Sequence, residues 1–332
     1  MRSETLVGQE HNVQETSQLS MKSSRFADAT EDHLDMVWLL GQPHLQDFLS
    51  FCETKVVGGE RMNPRDLADK WRAANDFYYE LEKSEAGIAD SIDCRPLDRR
   101  LARLASALEA SNWFRNSFDN LPYSIELIEL DKLVVSQIQV ERRFAHGIAA
   151  KLGESPSPAE LFRFCLPLER ELPPVAIKRL ASNRYQFTSP SSDFRQHDPL
   201  LLRGADIAHL NLPGSAAAML GISVGFGSNL MSGIRSGKRV LLQNGYHRAY
   251  ALRSAGVTHA FCVIEHVTRK DELRLTATEG VLNDPEFYFA AKRPPILRDY
   301  FNPRIAKQLR AKRMECLVEL EIKVRTSTVT SV

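Results

Sequence analysis

Apolar positions follow a helical period early in the chain and a strand period later. Between residues 31 and 120 large apolar side chains recur every three or four positions, the spacing of one helix face. Leu67, Trp71, Ala74, Tyr78 and Leu81 form such a stripe behind Asn63-Pro64-Arg65-Asp66. Asn is a good N-cap, Pro fits the first helical position, and Asp meets the positive end of the helix dipole. Leu97, Leu101, Leu104 and Leu108 predict a second helix, and Leu45, Phe48, Leu49 and Cys52 a weaker one over 43–55. We expect a helical region over 31–120, whose leucine stripe serves the core or a partner helix.

From Ser124 to Val135 (SIELIELDKLVV) the pattern alternates and predicts strand. Residues 141–153 predict a short helix stopped by Gly153. Ser155-Pro156-Ser157-Pro158 reads as a loop, and Leu172–Ile177 (LPPVAI) as a strand beginning after its two prolines. Residues 185–238 hold Ser189-Pro190-Ser191-Ser192 and several glycines, which predicts a loop-rich insertion of the kind that forms lids or binding loops. Arg239–Gln243, Tyr246–Ala255 and His259–Val267 predict strand, helix and strand, with Gly256 as C-cap. Such a βαβ unit is expected to be parallel and right-handed. In the final run, Cys316, Val318, Leu320, Ile322 and Val324 share one face of an edge or partner-facing strand, opposite Glu319, Glu321 and Lys323. Residues 1–30, rich in Ser, Thr, Gln and Glu, read as a mobile tail.

Composition narrows the class. The 332 residues are 43% hydrophobic and 26% charged, values of an ordinary globular protein. A net charge of +1 gives no overall field toward polyanions, so a nucleic acid would need a local basic patch. Five scattered cysteines, an odd number without a CxxC pair, fit reduced thiols in a cytoplasm. Met1 to Ser24 has no apolar core for a secretory signal. The longest mostly apolar stretch, Ala216–Phe226, falls short of the roughly 20 residues a bilayer span needs. An α/β protein without a membrane partner is expected.

Chemistry concentrates at Asn244-Gly245-Tyr246-His247-Arg248, between a strand and a helix. Glycine allows a sharp turn and close backbone approach. The helix that follows presents unpaired amides and a partial positive charge. His247 and Arg248 in its first turn are locally unfavourable cations unless an anion sits among them, and phosphate or carboxylate is the natural ligand. The bland alternative is an ordinary Asn-Gly turn with Arg248 paired to a nearby carboxylate.

This segment resembles the GxxR-type signature of the ParB-like/sulfiredoxin superfamily, matched at Gly245, His247, Arg248 and Ala251. The flanks resemble it too: IELIELDKLVV at 125–135, LPPVAI at 172–177, RVLLQ, and GVTHAFCVI at 256–264, together covering roughly 121–270. The resemblance implies a ParB/sulfiredoxin-like mixed sheet (α+β) over 121–270, with the helical region before it and a 271–332 extension after it. It implies phosphate contacts at Gly245, His247 and Arg248, with Asn244 and Tyr246 beside them, and a nucleotide such as ATP or CTP with Mg2+. Tyr246 stands where sulfiredoxins carry their nucleophilic Cys, so that chemistry is not expected. Asn244 stands where kinase-like and nuclease-like members usually carry Asp, and Asn is neither a carboxylate base nor a strong metal ligand. The ENxxR element of the CTP-dependent clamps is missing. The expectation is a bacterial-type nucleotide- or phosphate-binding protein with catalysis open. The alternative is a non-catalytic adaptor binding a protein or nucleic acid, with self-association or a partner through 31–120.

Three other groups carry candidate chemistry. His259, Cys262 and His266 suggest a metal site, but on a strand Cys262 and His266 stand about 13 Å apart, so buried strand residues are expected and no metal. Gly225-Phe226-Gly227-Ser228-Asn229 reads as a flexible loop that can fold over the 244–248 turn. Residues 292–313 carry eight Lys or Arg against one Asp. Arg304, Lys307, Arg310 and Arg313 there contact nucleic acid or lie on a solvated helix.

Overall fold

The computed structural model describes residues 33–327 except 43, 154, 170–171, 192, 198 and 211–213, so the tail expected over 1–30 lies outside the described residues. The chain is mixed α/β. Its centre is a six-stranded sheet of order β2-β3-β14-β12-β13-β4. These strands are β2 (Cys94–Pro96), β3 (Tyr123–Glu129), β4 (Val134–Val135), β12 (Ser232–Ser236), β13 (Arg239–Asn244) and β14 (His259–Val267). Ser124–Val135 is therefore two strands, broken at Asp131-Lys132, and its halves lie far apart in the sheet.

The predicted parallel βαβ unit is corrected. β12 slots between β13 and β14, antiparallel to the first and parallel to the second, so β13 and β14 run in opposite directions. Sequence did not show this because β12 (SGIRS) carries one large apolar residue, Ile234, and lies inside the stretch read as a loop. The insertion at 185–238 is likewise not mainly loop. It also holds β7 (Arg184–Ser189), β8 (Phe194–Gln196), β9 (Leu200–Arg203), a single turn α7 (Gly204–Ile207), β10 (Ala218–Gly221) and β11 (Val224–Phe226).

The region 31–120 is not wholly helical. It opens with β1 (His33–Leu39), which pairs antiparallel with β5 (Gln139–Glu141) and β15 (Ala306–Lys312). Met36, Trp38 and Leu40 face a cluster with α1 (Leu45–Lys55) and α2 (Pro64–Ser84), while Val37 and Leu39 face the main core. A strand buried on both faces reads as a continuous apolar run, not as alternation. α1 and α2 stand where expected, and the Asn63 side chain caps α2 by accepting from Arg65 N at 3.0 Å. The second leucine stripe forms a 3-10 turn at Arg99–Leu101 and α3 (Ala102–Glu109), followed by α4 (Asn112–Phe118).

α5 (Arg142–Ala149) and α8 (Tyr246–Ser254) pack together beside the central sheet, and α6 (Pro158–Cys165) packs on β14. Ser155–Pro158 does more than loop: Ser157 and Glu160 form a capping box and Pro158 is the first residue of α6. Beyond α8, α9 (Glu279–Asn283) and α10 (Pro285–Phe289) lead to a 3-10 turn at Leu297–Phe301. Among the described residues no helix is long and apolar enough to cross a membrane.

LPPVAI leaves the central sheet. β6 (Ala176–Ala181) joins β7 and β16 (Cys316–Glu321) in a separate sheet of order β16-β7-β6, where all six β6 residues are exposed. β16 is an edge strand, with Cys316, Val318 and Leu320 on its half-buried face. β9 and β10 form a two-stranded ribbon, as do β8 and β11. We call 168–229 the arm. Its two ends meet at the core, where Met231 N donates to Cys165 O at 3.0 Å. Of its apolar side chains among the described residues, only Phe194 and Ile207 are buried.

Candidate functional site

The 244–248 turn is built as its residues suggest. β13 ends at Asn244, Gly245 takes φ +94°, and α8 starts at Tyr246. A Cβ on Gly245 would lie 2.6 Å from Met231 Cγ and 3.1 Å from Met231 Cα, so both the left-handed backbone and the close approach require glycine. Asn244 Oδ1 accepts from Gly245 N at 2.8 Å, and its amide nitrogen donates to Ser228 O.

The side chains that follow turn to protein partners. The Tyr246 hydroxyl donates to Leu242 O and meets Ser136 N at 3.2 Å and Ser136 Oγ at 3.0 Å, and burial pushes its pKa up. His247 Nε2 accepts from Glu141 N at 3.1 Å, which places the ring proton on Nδ1. The edge of Phe144 meets that imidazole at 5.2 Å between ring centres. Burial, then the neighbouring Arg248 charge, pushes the His247 pKa down to about 4, so the ring is neutral at pH 7. Arg248 Nη1 donates to Asn229 O at 2.6 Å and Nη2 to Asn229 Oδ1. The 225–229 segment thus folds over the turn through Ser228 and Asn229.

The five residues therefore share one turn, but their groups diverge. The imidazole is a neutral acceptor beneath Phe144, not a cation aimed at a ligand. Cys165, beside this turn, has its thiol pushed up to about 12 by burial. Sequence reasoning pointed to the 225–229 segment that holds Asn229 but missed Met231, Ser136 and Glu141. The last two lie more than 100 positions before the residues they contact, and no local pattern announces them. Neither the cavity between α2 and 287–293 nor the smaller one beside Val135–Ile138 is lined by 244–248.

The basic stretch is not one helix: Leu297–Phe301 is a 3-10 turn and only Ala306–Lys312 is strand β15. Arg304 stacks on Phe77 at 3.6 Å and pairs with Glu80 at 3.2 Å. Lys307 lies on the opposite face of β15 from Arg310 and Lys312, and burial lowers its pKa. Arg310 Nη2 meets His33 Nδ1 at 3.2 Å, and Arg313 is exposed beyond the strand. The four cations therefore do not share one face. Arg293 is buried in ion pairs with Glu85 and Asp299. His259 bonds Asp93 at 3.2 Å, Cys262 is buried, and His266 bonds Ser124 at 2.8 Å. Among the described residues no three His, Cys, Asp or Glu side chains are placed to hold a metal ion.

No protein-family model, curated protein or solved structure matches the chain.

Proposed function

We propose that the chain is a non-catalytic adaptor that engages a protein partner through its arm. The observation that carries this is the β9–β10 ribbon. Leu201 lies opposite Leu220, and Leu200, Leu201 and Leu220 are exposed by 60%, 65% and 60%. A two-stranded ribbon is marginally stable alone in water, and contiguous exposed apolar surface marks an interaction site. Ile177 and Leu180 on β6, and Leu172 before it, are exposed apolar side chains as well, and the outer edge of β6 is open for strand addition. The neutral, inward-turned His247 supports a structural role for the 244–248 turn. The core is read as ParB-like because three of the four matching segments supply strands of one sheet, with 172–177 as the departure.

The test is a photo-crosslinking residue at Leu201, compared with one at exposed Arg72 on α2, in the native cell extract. We expect a discrete adduct at 201 that disappears in a Leu200→Asp/Leu220→Asp background. Equal labelling at both positions rejects the adaptor reading.

A second reading keeps a nucleotide phosphate, with Mg2+, at the start of α8. What favours it is the Arg248 guanidinium beside the left-handed Gly245. A ligand phosphate would compete with Asn229 for that guanidinium. Calorimetry with ATP, CTP, GTP and their diphosphates checks it: heat abolished by Arg248→Ala supports it, and no heat at high protein concentration removes it.

A further inference from the structure

A cavity of about 150 Å³ lies between α2 and the 287–293 segment, away from both the turn and the arm. Three of its polar lining side chains, Gln42, Asn75 and Glu82, bring acceptor oxygens. Gln42 Oε1 is buried without a hydrogen-bond partner. Asn75 donates its amide nitrogen to Gly41 O at 2.8 Å, which fixes the amide and leaves Oδ1 as its acceptor. Glu82 adds a carboxylate to the lining, in a long ion pair with Lys292 Nζ at 4.0 Å. Tyr78, Tyr79 and Phe287 add aromatic rings, and Ala291 a methyl group.

Arg293 also lines this space, but its donors point elsewhere. Nε and Nη2 donate to Glu85, Nη1 and Nη2 to Asp299, and Nη1 to Pro294 O. Those contacts engage all five of its N–H groups. Arg298 pairs with the same Glu85, so two guanidiniums face two carboxylates and the back wall carries no net charge. A lining of orphan and carboxylate oxygens with aromatic faces suits a ligand that brings several N–H donors and a positive charge. The one cation of the lining, Arg293, has its N–H groups engaged by protein oxygens.

We propose that this cavity binds an alkylammonium group, from a free amine or from the lysine side chain of a peptide. A buried acceptor without a partner costs stability, and an ammonium proton would satisfy Gln42 Oε1. Aromatic rings around a cation add attraction through their faces. The volume admits an ammonium head and a short alkyl stem, not a nucleotide.

The test follows the side-chain amide resonances of Gln42 and Asn75 by NMR in the full chain. The probes are n-butylammonium, Nα-acetyl-lysine amide, and 1-butanol as the neutral control. Saturable shifts are expected for the ammonium probes, with Kd on the order of millimolar for so few ligand atoms. Tighter binding of acetyl-lysine amide assigns the site to a peptide lysine, and tighter binding of butylammonium to a free amine. Tyr79→Ala should weaken binding about three-fold, as loss of one exposed cation–π contact does. Glu82→Gln should weaken it more. Both residues lie on the surface of α2, so both variants are expected to fold. Butanol binding as tightly as the amines, affinity unchanged in Glu82→Gln, or a site holding only water would each overturn the proposal.

Discussion

Replacing Gly245 with alanine tests how the turn is clamped. Two penalties add. The first is the left-handed backbone at φ +94°, which costs an L-residue about 1–2 kcal/mol. The second is the new methyl, only 2.6 Å from Met231 Cγ and 3.1 Å from Met231 Cα. Met231 is fully buried, so relief means repacking a dense core, at about 1–3 kcal/mol. The expected loss is about 2–5 kcal/mol, a large part of the stability of a typical domain. Gly256→Ala is the internal control. It shares a left-handed backbone, φ +80°, but a Cβ there meets nothing within 4 Å, so only the first penalty applies. Urea unfolding of both variants, compared by midpoint at constant m, isolates the steric part. Met231→Ala in the Gly245→Ala background should recover some of it, because the clashing Cγ is gone. Equal losses for the two glycine variants, within about 0.5 kcal/mol, would show that Met231 yields freely and that the clamp is illusory.

Other consequences are as direct. The folded chain holds His247 at about 4 against an ordinary 6.5, so it resists a proton that the unfolded chain accepts. That contribution is whole above pH 6.5 and is lost as pH falls toward 4. His247→Gln, whose carbonyl can still accept from Glu141 N, should flatten the urea midpoint between pH 7 and 4.5; an unchanged slope refutes the assignment. Arg293→Met strands the buried Asp299, while Glu85 keeps Arg298, and should cost about 3–5 kcal/mol, measured by the same unfolding curves; a loss under about 1 kcal/mol refutes it. Ser157→Ala removes the α6 capping box and should cost about 1 kcal/mol. Leu200→Asp with Leu220→Asp should leave thermal stability within about 0.5 kcal/mol of wild type, since both side chains already face water.

What the sequence disclosed was periodic and local. α2 is announced by Asn63-Pro64 and its apolar stripe, and β13, α8 and β14 by a short apolar run, a glycine turn and a second glycine stop. What escaped depended on distant neighbours. β12 enters the sheet centre with a single large apolar side chain because β13 and β14 supply its burial from both sides. β1 hid among helices because it is apolar on both faces. The fate of Tyr246 and His247 was decided by Ser136 and Glu141. Part of the charge of the basic run at 292–313 is balanced by Glu80 and Glu85, which sit on or just past α2, some 200 positions earlier.

The hydrogen bond from Met231 to Cys165 has a bearing on descent as well as on folding. An excursion that departs and returns at one point can lengthen, shrink or be exchanged at small entropic cost, about 0.6 kcal/mol per doubling of a flexible loop. The hydrophobic interior hardly registers such edits, since it draws almost nothing from between those two residues. Related chains are thus free to keep a recognisable centre while carrying unrelated excursions, and a shortened form joined across that hydrogen bond is the natural starting point for isolating the centre.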